Sequence, residues 1–245
     1  MASPTPLFLI QGGIFLLAAF ELLSWGTVLA QERLHLPQLA PGGPLVQRRD
    51  AYDFAYIIIN KLVTLPFVYH AYMYVRGSPI PPFTALTVLA PVLPLFLAYD
   101  VIYAPFHYFL HWAPVYPYIH KHHHRQVAPH RGAYDAVNTH PVEYAVGMWQ
   151  HLGALAILQR AGVPVHPAAV LIFVLGGALI AAANHTRHHS AVPLLYDSAD
   201  HDTHHRFSAH NYAQYVSSAL SSPQNKSPRV PKPLIPNKNP TPPKP

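Results

Sequence analysis

Long apolar runs alternate with shorter polar stretches along most of the chain. A helix needs about 20 predominantly apolar residues to cross a bilayer, and three runs of that length precede the first histidine-rich stretch. They cover residues 7–30, 51–75 and 80–106. Prolines within the third run predict kinks in its helix. Each of the three runs is therefore predicted to be a transmembrane helix.

Two further apolar runs follow, at residues 142–158 and 163–183. The first of them is short and includes polar side chains, so it either crosses the membrane or only dips into it. In both cases the two runs form a helical hairpin, which returns Asn184 to the side of the membrane that His140 left. We therefore predict an all-α integral membrane bundle of about four transmembrane helices plus a short hairpin helix, with a histidine-rich cap on one face.

The pattern divides the chain into three regions. Residues 1–98 are predicted to be an N-terminal transmembrane region, and residues 99–215 a domain that contains the histidine groups. Residues 216–245 are predicted to be a disordered tail, because nine of the last 25 residues are proline and no apolar periodicity is present.

The composition agrees with a membrane protein, since 51% of the residues are hydrophobic and only 11% are charged. The absence of cysteine excludes disulfides, thiolate metal sites and cysteine nucleophiles. The net charge is +6, but five of these positive charges lie in residues 221–245. No basic face remains elsewhere, so nucleic acid is not an expected partner.

Basic residues in short loops favour the cytosolic side of a membrane. The loop between the first two runs contains Arg33, Arg48 and Arg49, whereas the next turn contains only Arg76. With the first loop in the cytosol, the third run also ends there. The histidine-rich cap is therefore predicted to face the cytosol.

Seventeen of the 19 histidines lie between His107 and His210, and most of them form four groups with helical spacing. A four-residue step places two side chains on one face of a helix, and a three-residue step keeps them close. The groups are His107 and His111; His120, His123 and His124; His185, His188 and His189; and His201, His204 and His205. All four groups are expected on one membrane face.

The four groups supply nine or ten nitrogen ligands, enough for two metal ions. Imidazole binds iron, zinc, copper and nickel, so the ligand type alone leaves the metal open. A hydrolase with a single zinc ion needs only three protein ligands and a carboxylate base, and no H-E-x-x-H motif is present. We favour two iron ions that activate dioxygen beside the membrane. The isolated His35, His70, His151 and His166 are predicted to be structural.

Five short motifs follow one another between Tyr99 and Tyr215. They are H-x-x-x-H at His107, H-K-x-H-H at His120, H-P-x-E at His140, N-H-T-R-H at Asn184 and H-D-x-H-H at His201, the last followed by Phe207, Asn211 and Tyr212. In this order the motifs resemble those of the fatty acid hydroxylase superfamily. Its members are membrane-bound non-haem di-iron oxidases, which include sterol C5-desaturases, C4-methyl sterol oxidases and sphingolipid hydroxylases.

The resemblance implies an iron-dependent oxidoreductase that uses dioxygen to hydroxylate or desaturate a sterol, a sphingoid base or a fatty acyl chain. It implies two iron ions held by ten histidines: His107, His111, His120, His123, His124, His185, His188, His201, His204 and His205. Six residues are expected to support these ligands: Asp100, His140, Glu143, His189, Asp202 and Asn211. Asp100 lies two turns before His107, where its carboxylate would accept a hydrogen bond from a ring and so hold its tautomer.

The resemblance also implies partners and a location. The lipid substrate enters from the bilayer, and electrons come from an external donor, a b-type cytochrome with its NAD(P)H reductase. The expected location is the endoplasmic reticulum, with the histidines facing the cytosol.

Two other interpretations stay open. The first is a non-catalytic or truncated family member, because His189 stands where many relatives have aspartate, Ala213 replaces a glycine, and no W-D-x-x-F-G element follows Tyr215. The second is a histidine-rich membrane protein that binds or transports metal. Transporters place their ligands near the bilayer midplane, whereas these histidine groups lie at the ends of the predicted spans.

Overall fold

The computed structural model describes residues 6–39, 49–125, 132–186, 188–192, 196–207 and 211–216. Within these ranges the chain forms seven α-helices: α1 (Pro6–Arg33), α2 (Ala51–Gly77), α3 (Ala85–Val88), α4 (Val92–Leu110), α5 (Pro141–Arg160), α6 (Pro167–Asn184) and α7 (Ser198–Arg206). Two 3-10 helices span His123–Arg125 and Ala133–Val137. The predicted tail lies outside the described residues, except for residue 216.

A short antiparallel hairpin joins α6 to α7. It pairs β1 (Ala191–Val192) with β2 (Tyr196–Asp197), so that Ala191 lies opposite Asp197 and Val192 opposite Tyr196. Asp197 then accepts a hydrogen bond of 2.8 Å from the backbone N–H of Ala199 and caps the start of α7.

Polar residues at the helix starts explain where several helices begin. Asp50 and Asp53 form a reciprocal capping box at the start of α2. A His-Pro pair begins both α5 and α6: the ring of His140 or His166 accepts a backbone hydrogen bond, and the proline occupies the first turn, where no N–H is needed.

Among the described residues, four helical segments are long and apolar enough to cross a membrane, namely Ile10–Arg33, Ala51–Gly77, Ala85–Leu110 and Pro167–Asn184. They correspond to the predicted runs 7–30, 51–75, 80–106 and 163–183. The third begins later than predicted, because residues that precede Pro81 and Pro82 are disfavoured from helical conformation. The predicted all-α membrane bundle is confirmed. α5, which was predicted to be a short hairpin helix, has 20 residues and is longer than its partner α6, which has 18.

Five helix ends meet on the histidine-rich side of the bundle. α4 and α6 end there, and α5 begins there. The C-terminal end of α1 is joined to this side by the Gln31 amide, which donates 2.8 Å to the Ser190 hydroxyl. The N-terminal end of α2 is joined to it by Arg125, which lies 2.6 Å from the Asp50 carboxylate. The predicted convergence of both histidine-rich stretches on one side follows from this arrangement.

The core lies where α4, α5 and α6 pack together, with Leu95, Leu155 and Phe173 nearly completely buried. Tyr215, from the segment that follows α7, belongs to the same core. Its hydroxyl would lie 2.6 Å from a Cβ atom at Gly177, closer than two such atoms can approach. Only glycine therefore lets α6 pack this closely against Tyr215.

Replacing Gly177 with alanine is expected to destabilise the protein by about 1–3 kcal/mol, the usual cost of overpacking a core. The Tyr215 ring cannot move away freely, because its hydroxyl is hydrogen-bonded to His151 at 3.1 Å. The thermal midpoint of the detergent-solubilised variant measures this effect. Gly12→Ala is the matched control, since no atom lies within 4 Å of a Cβ there. An equal midpoint for the two variants would contradict the packing argument.

Candidate metal centre

Five histidines form the first cluster: His107, His111, His120, His124 and His204. The Nε2 atoms of His107 and His124 each lie 3.0 Å from Nε2 of His120. The Nε2 atoms of His111 and His124 each lie 3.2 Å from Nε2 of His204. One nitrogen from each of the five rings lies within 4.8 Å of all the others. The five lone pairs can therefore face a single point.

Four histidines form the second cluster: His123, His185, His201 and His205. Nε2 of His201 lies 3.2 Å from that of His185 and 3.0 Å from that of His205. The two clusters are neighbours, because the ring centroids of His124 and His205 are 4.8 Å apart. The arrangement offers two adjacent sites whose grouped candidate ligands, among the described residues, are all imidazoles.

Each H-x-x-H-H motif supplies both clusters. His120 and His124 join the first cluster while His123 joins the second, and His201 and His205 join the second while His204 joins the first. On a helix, residues i and i+4 lie about 40° apart, and residue i+3 lies about 60° away on the other side of i. This angular offset divides His201, His204 and His205, which lie in α7. The other motif divides in the same way, although it runs through turns into the 3-10 helix His123–Arg125.

Burial keeps seven of the nine cluster histidines neutral near pH 7. It lowers the pKa of His111 to about 4. Burial, with the neighbouring imidazoles, lowers the pKa of His124 to about 4 and that of His185 to about 3. The same two causes lower the pKa values of His120, His123, His201 and His205. Neutral imidazoles have the free lone pair that a metal ion requires.

These pKa directions predict that the metal-free protein loses stability in acid. A buried histidine with a pKa near 4 stays neutral in the folded state, while the unfolded chain binds a proton near pH 6.5. Stability is then fully present above about pH 6.5 and declines as the pH falls from there towards 4. Thermal midpoints of chelator-treated protein at pH 7.5, 6 and 5 should decrease in that order. A midpoint that is constant over this range would contradict the pKa directions.

Two contacts orient rings of the first cluster. Nδ1 of His107 donates a hydrogen bond of 2.9 Å to the backbone carbonyl of Tyr212. This bond leaves Nε2 of His107 unprotonated and directed at the cluster. Nδ1 of His120 lies 2.9 Å from Oε1 of the buried Glu143. The predicted supporting residue Glu143 is thus placed where it can fix the His120 tautomer.

Four other predicted supporting residues contact groups outside the two clusters. The Asp100 carboxylate accepts hydrogen bonds from the backbone N–H groups of residues 214–216, rather than from a ring among the described histidines. His140 caps α5. Asp202 pairs with Arg206 at 2.9 Å. The side-chain amide of Asn211 donates 3.1 Å to the Asp200 carbonyl, and its φ of 54° is one that asparagine tolerates.

His188 is the predicted ligand that the structure places outside both clusters. Its Nδ1 donates 3.3 Å to the carbonyl of Leu36, and its backbone pairs with Gln38. The neighbouring His189 donates 2.7 Å to the Asp197 carboxylate through Nε2. Both rings are thus engaged between the end of α1 and the hairpin, and His185 alone joins a cluster from this motif.

One polar network near the site was not predicted from the sequence. Nε2 of His122 lies 3.1 Å from Oδ1 of Asp53 and donates 2.9 Å to Oδ1 of Asn138. The Asn138 amide in turn donates 3.0 Å to Asp53. This network joins α2 to the two loops that flank the clusters. A carboxylate near the start of an apolar helix, as at Asp53, was the available signal.

A cavity of about 380 Å³ extends from the second cluster into the bundle, between α1, α2, α5 and α6. His123 and His185 line its inner end, and most of its wall is apolar. A second apolar cavity of about 310 Å³ lies between α1, α2 and α6, and the two share Phe20 and Val174 as lining residues. The histidine cap therefore adjoins apolar space inside the membrane bundle.

Comparison with family models gives one decisive result. The fatty acid hydroxylase model matches residues 92–219, just over half of the chain. The chain belongs to the fatty acid hydroxylase family. Comparison with curated proteins and with solved structures gives no significant match.

The family model matches the part of the chain that contains the histidine clusters, but not the two helices that precede it. Residues 92–219 include all nine histidines of the two clusters and the segment around Tyr215. α1 and α2 precede the matched range, yet both line the cavity. The two histidine clusters thus lie in the range that the family model matches, whereas α1 and α2, which line part of the cavity, lie outside it.

Proposed function

We propose that the protein is a membrane-bound di-iron oxidoreductase that uses dioxygen to hydroxylate or desaturate a lipid. The observation that supports this proposal most strongly is the position of the two histidine clusters at the end of an apolar cavity within a membrane bundle. The family is known for iron use and lipid oxidation.

The donor set fits iron better than zinc. Nitrogens bound at about 2.1 Å to one ion are about 3.0 Å apart at a right angle and about 3.4 Å apart at the tetrahedral angle. Two Nε2 separations, at 3.0 Å, match the right-angle value, and the two at 3.2 Å lie midway between the two values. Five imidazoles in the first cluster also exceed the four ligands of a closed zinc site. Sites with right-angle geometry can keep an open position for a further ligand, as non-haem iron oxygenases do.

Iron bound there would supply the redox chemistry that activates dioxygen and removes hydrogen from an unactivated C–H bond. The residues of the chain hold the ions and orient the rings. Tyr212 and Glu143 hold the outer nitrogens of His107 and His120, which keeps their inner nitrogens directed at the first site. Burial of the clusters excludes bulk water, which limits side reactions.

The cavity supports a lipid as substrate. Its wall is formed by side chains such as Leu17, Phe20, Val28 and Val174, and the adjoining apolar cavity extends the space along α1, α2 and α6. An extended hydrocarbon can lie in this space with one carbon near His123 and His185. Substrate access from the bilayer, rather than from water, is part of the proposal.

The remaining expectations are also proposals. We propose that electrons come from a separate b-type cytochrome and its reductase, that the clusters face the cytosol, and that the membrane is the endoplasmic reticulum. The excess of basic residues in the loop that follows α1 supports the orientation.

Metal analysis and lipid profiling together test the function. We expect purified full-length protein to contain about two iron ions per chain, as nine imidazole ligands in two clusters suggest. Cells that express it should accumulate one lipid product, which either incorporates ¹⁸O from ¹⁸O₂ or has two hydrogens fewer than its precursor. Iron below about one ion per chain would overturn the di-iron proposal. Full iron with unchanged lipids would favour a non-catalytic family member and overturn the enzymatic part.

A further inference from the structure

An ion pair lies within the membrane bundle, outside the metal centre. Glu21 of α1 and Lys61 of α2 are in direct contact through Oε1 and Nζ, and both residues lie inside predicted membrane spans. Charged side chains are costly at such positions, and they usually mark functional sites. Both residues precede the range matched by the family model.

The pair lines the same cavity as the second cluster. Glu21 and Lys61 form part of its wall from α1 and α2, and His123 and His185 also line it. The contact between Glu21 and Lys61 does not bury the two side chains, because 40% of the Glu21 side chain and 30% of the Lys61 side chain stay accessible. A molecule in the cavity can therefore reach both groups.

Other polar groups surround the pair. The Lys61 ammonium lies 5.0 Å from the centroid of the Tyr134 ring. The hydroxyls of Thr64 and Tyr144, which also line the cavity, are 3.0 Å apart. Glu21, Lys61, Thr64 and Tyr144 thus form a polar part of a wall that is mostly apolar, and the cavity is also lined by Ser24, Thr139, Glu143 and Gln214.

The chemistry of this polar part of the wall selects one kind of polar group. A hydroxyl can donate to the Glu21 carboxylate and accept from the Lys61 ammonium at the same time. A carboxylate or phosphate could accept from Lys61, but it would face repulsion from Glu21 in a medium of low dielectric constant. The pair as a whole is neutral, so it provides no net charge to attract an anionic headgroup.

We propose that Glu21 and Lys61 bind the hydroxyl group of a neutral lipid and thereby orient it for oxidation beside the second cluster. This inference rests on the proposed function and narrows its substrate to a hydroxylated, uncharged lipid rather than a free fatty acid or a phospholipid. Because the pair and the second cluster line one cavity with different residues, the proposal separates the carbon that reacts from the carbon that bears the hydroxyl.

Binding of matched lipids tests the proposal without any turnover. Full-length purified holoprotein in detergent is equilibrated under nitrogen at pH 8 with tritiated 1-hexadecanol or tritiated hexadecanoic acid. We expect the alcohol to bind about 10-fold more tightly, a difference of about 1.4 kcal/mol. Glu21→Gln and Lys61→Met should each weaken alcohol binding by about 10-fold. Glu32→Gln, which changes an exposed carboxylate on the same helix, is the matched control and should bind like the wild type.

A further variant separates lipid binding from a purely structural role of the ion pair. Replacing both Glu21 and Lys61 with leucine keeps a contact between α1 and α2 but removes the hydroxyl site. We expect this double variant to keep its iron content and thermal midpoint while losing the preference for the alcohol. Equal binding of alcohol and acid by the wild type would overturn the proposal, as would unchanged alcohol binding in the single variants. The binding experiment contains no oxygen, so it does not depend on the di-iron chemistry. A failure of that chemistry is instead detected by iron content and product analysis.

Discussion

Replacing His204 with alanine is expected to empty the first metal site and to lower lipid oxidation by more than about 100-fold, since changes to groups that merely support a ligand already cost about 10–100-fold. Nε2 of His204 lies 3.2 Å from the Nε2 atoms of His111 and His124. The ring is fully buried, so no other side chain can replace it without rearrangement. Iron should fall from about two ions to about one per chain, as measured by elemental analysis.

His188→Ala is the matched control for this experiment. His188 belongs to a histidine motif, but its ring contacts the carbonyl of Leu36 rather than a cluster. The variant should keep both iron ions and most of its activity. If His188→Ala lost iron and His204→Ala did not, the assignment of the first cluster would be wrong.

Replacing Asp100 with alanine is expected to lower the free energy of unfolding by about 3 kcal/mol or more, because each buried N–H group that loses its acceptor costs about 1–3 kcal/mol. The carboxylate, which is fully buried, accepts from the N–H groups of Gln214 at 3.0 Å, Tyr215 at 3.1 Å and Val216 at 2.5 Å. Alanine leaves these donors without their acceptor. The thermal midpoint in detergent measures the loss.

The same change is expected to reach the metal centre. Residues 211–216 also provide the Tyr212 carbonyl that orients His107 and the Tyr215 hydroxyl that donates to His151. Faster proteolysis in this segment and weaker iron retention should therefore accompany the lower midpoint. Glu32→Ala, which removes an exposed carboxylate from α1, should leave the proteolysis rate, the iron retention and the thermal midpoint unchanged. An Asp100→Ala variant with a wild-type midpoint would contradict the argument.

Most of the fold was predictable, because a helix in lipid must satisfy its backbone internally and present apolar side chains along about 20 residues. The four membrane spans are therefore visible as apolar runs. Their ends were less predictable. The run 80–106 differs from the observed segment Ala85–Leu110, since prolines delay the start of α3 and only the tertiary packing shows how far α4 continues.

The sequence predicted which histidines form the metal centre, but not how they divide into two clusters. Helical spacing indicated that His120, His123 and His124 lie near one another, yet the structure assigns His123 to the second cluster and the other two to the first. The angular offset of residue i+3 is present in the sequence. Only the packing of α4, α6 and α7 decides which of these helices contacts His123 and which contacts His120 and His124.

Spacing along the chain was sufficient to identify the apolar spans and the order of the motifs, because these features depend on residues within one or two helical turns. It also indicated nine of the histidines that come together, but their contacts join positions as far as 93 apart and form only when the helices pack. The spacing was insufficient to predict the contacts of Asp100 and His188. Asp100 contacts backbone groups 114 to 116 positions away, and His188 contacts a carbonyl 152 positions away. Such partners are chosen by the packing of distant segments, and local periodicity has no information about them.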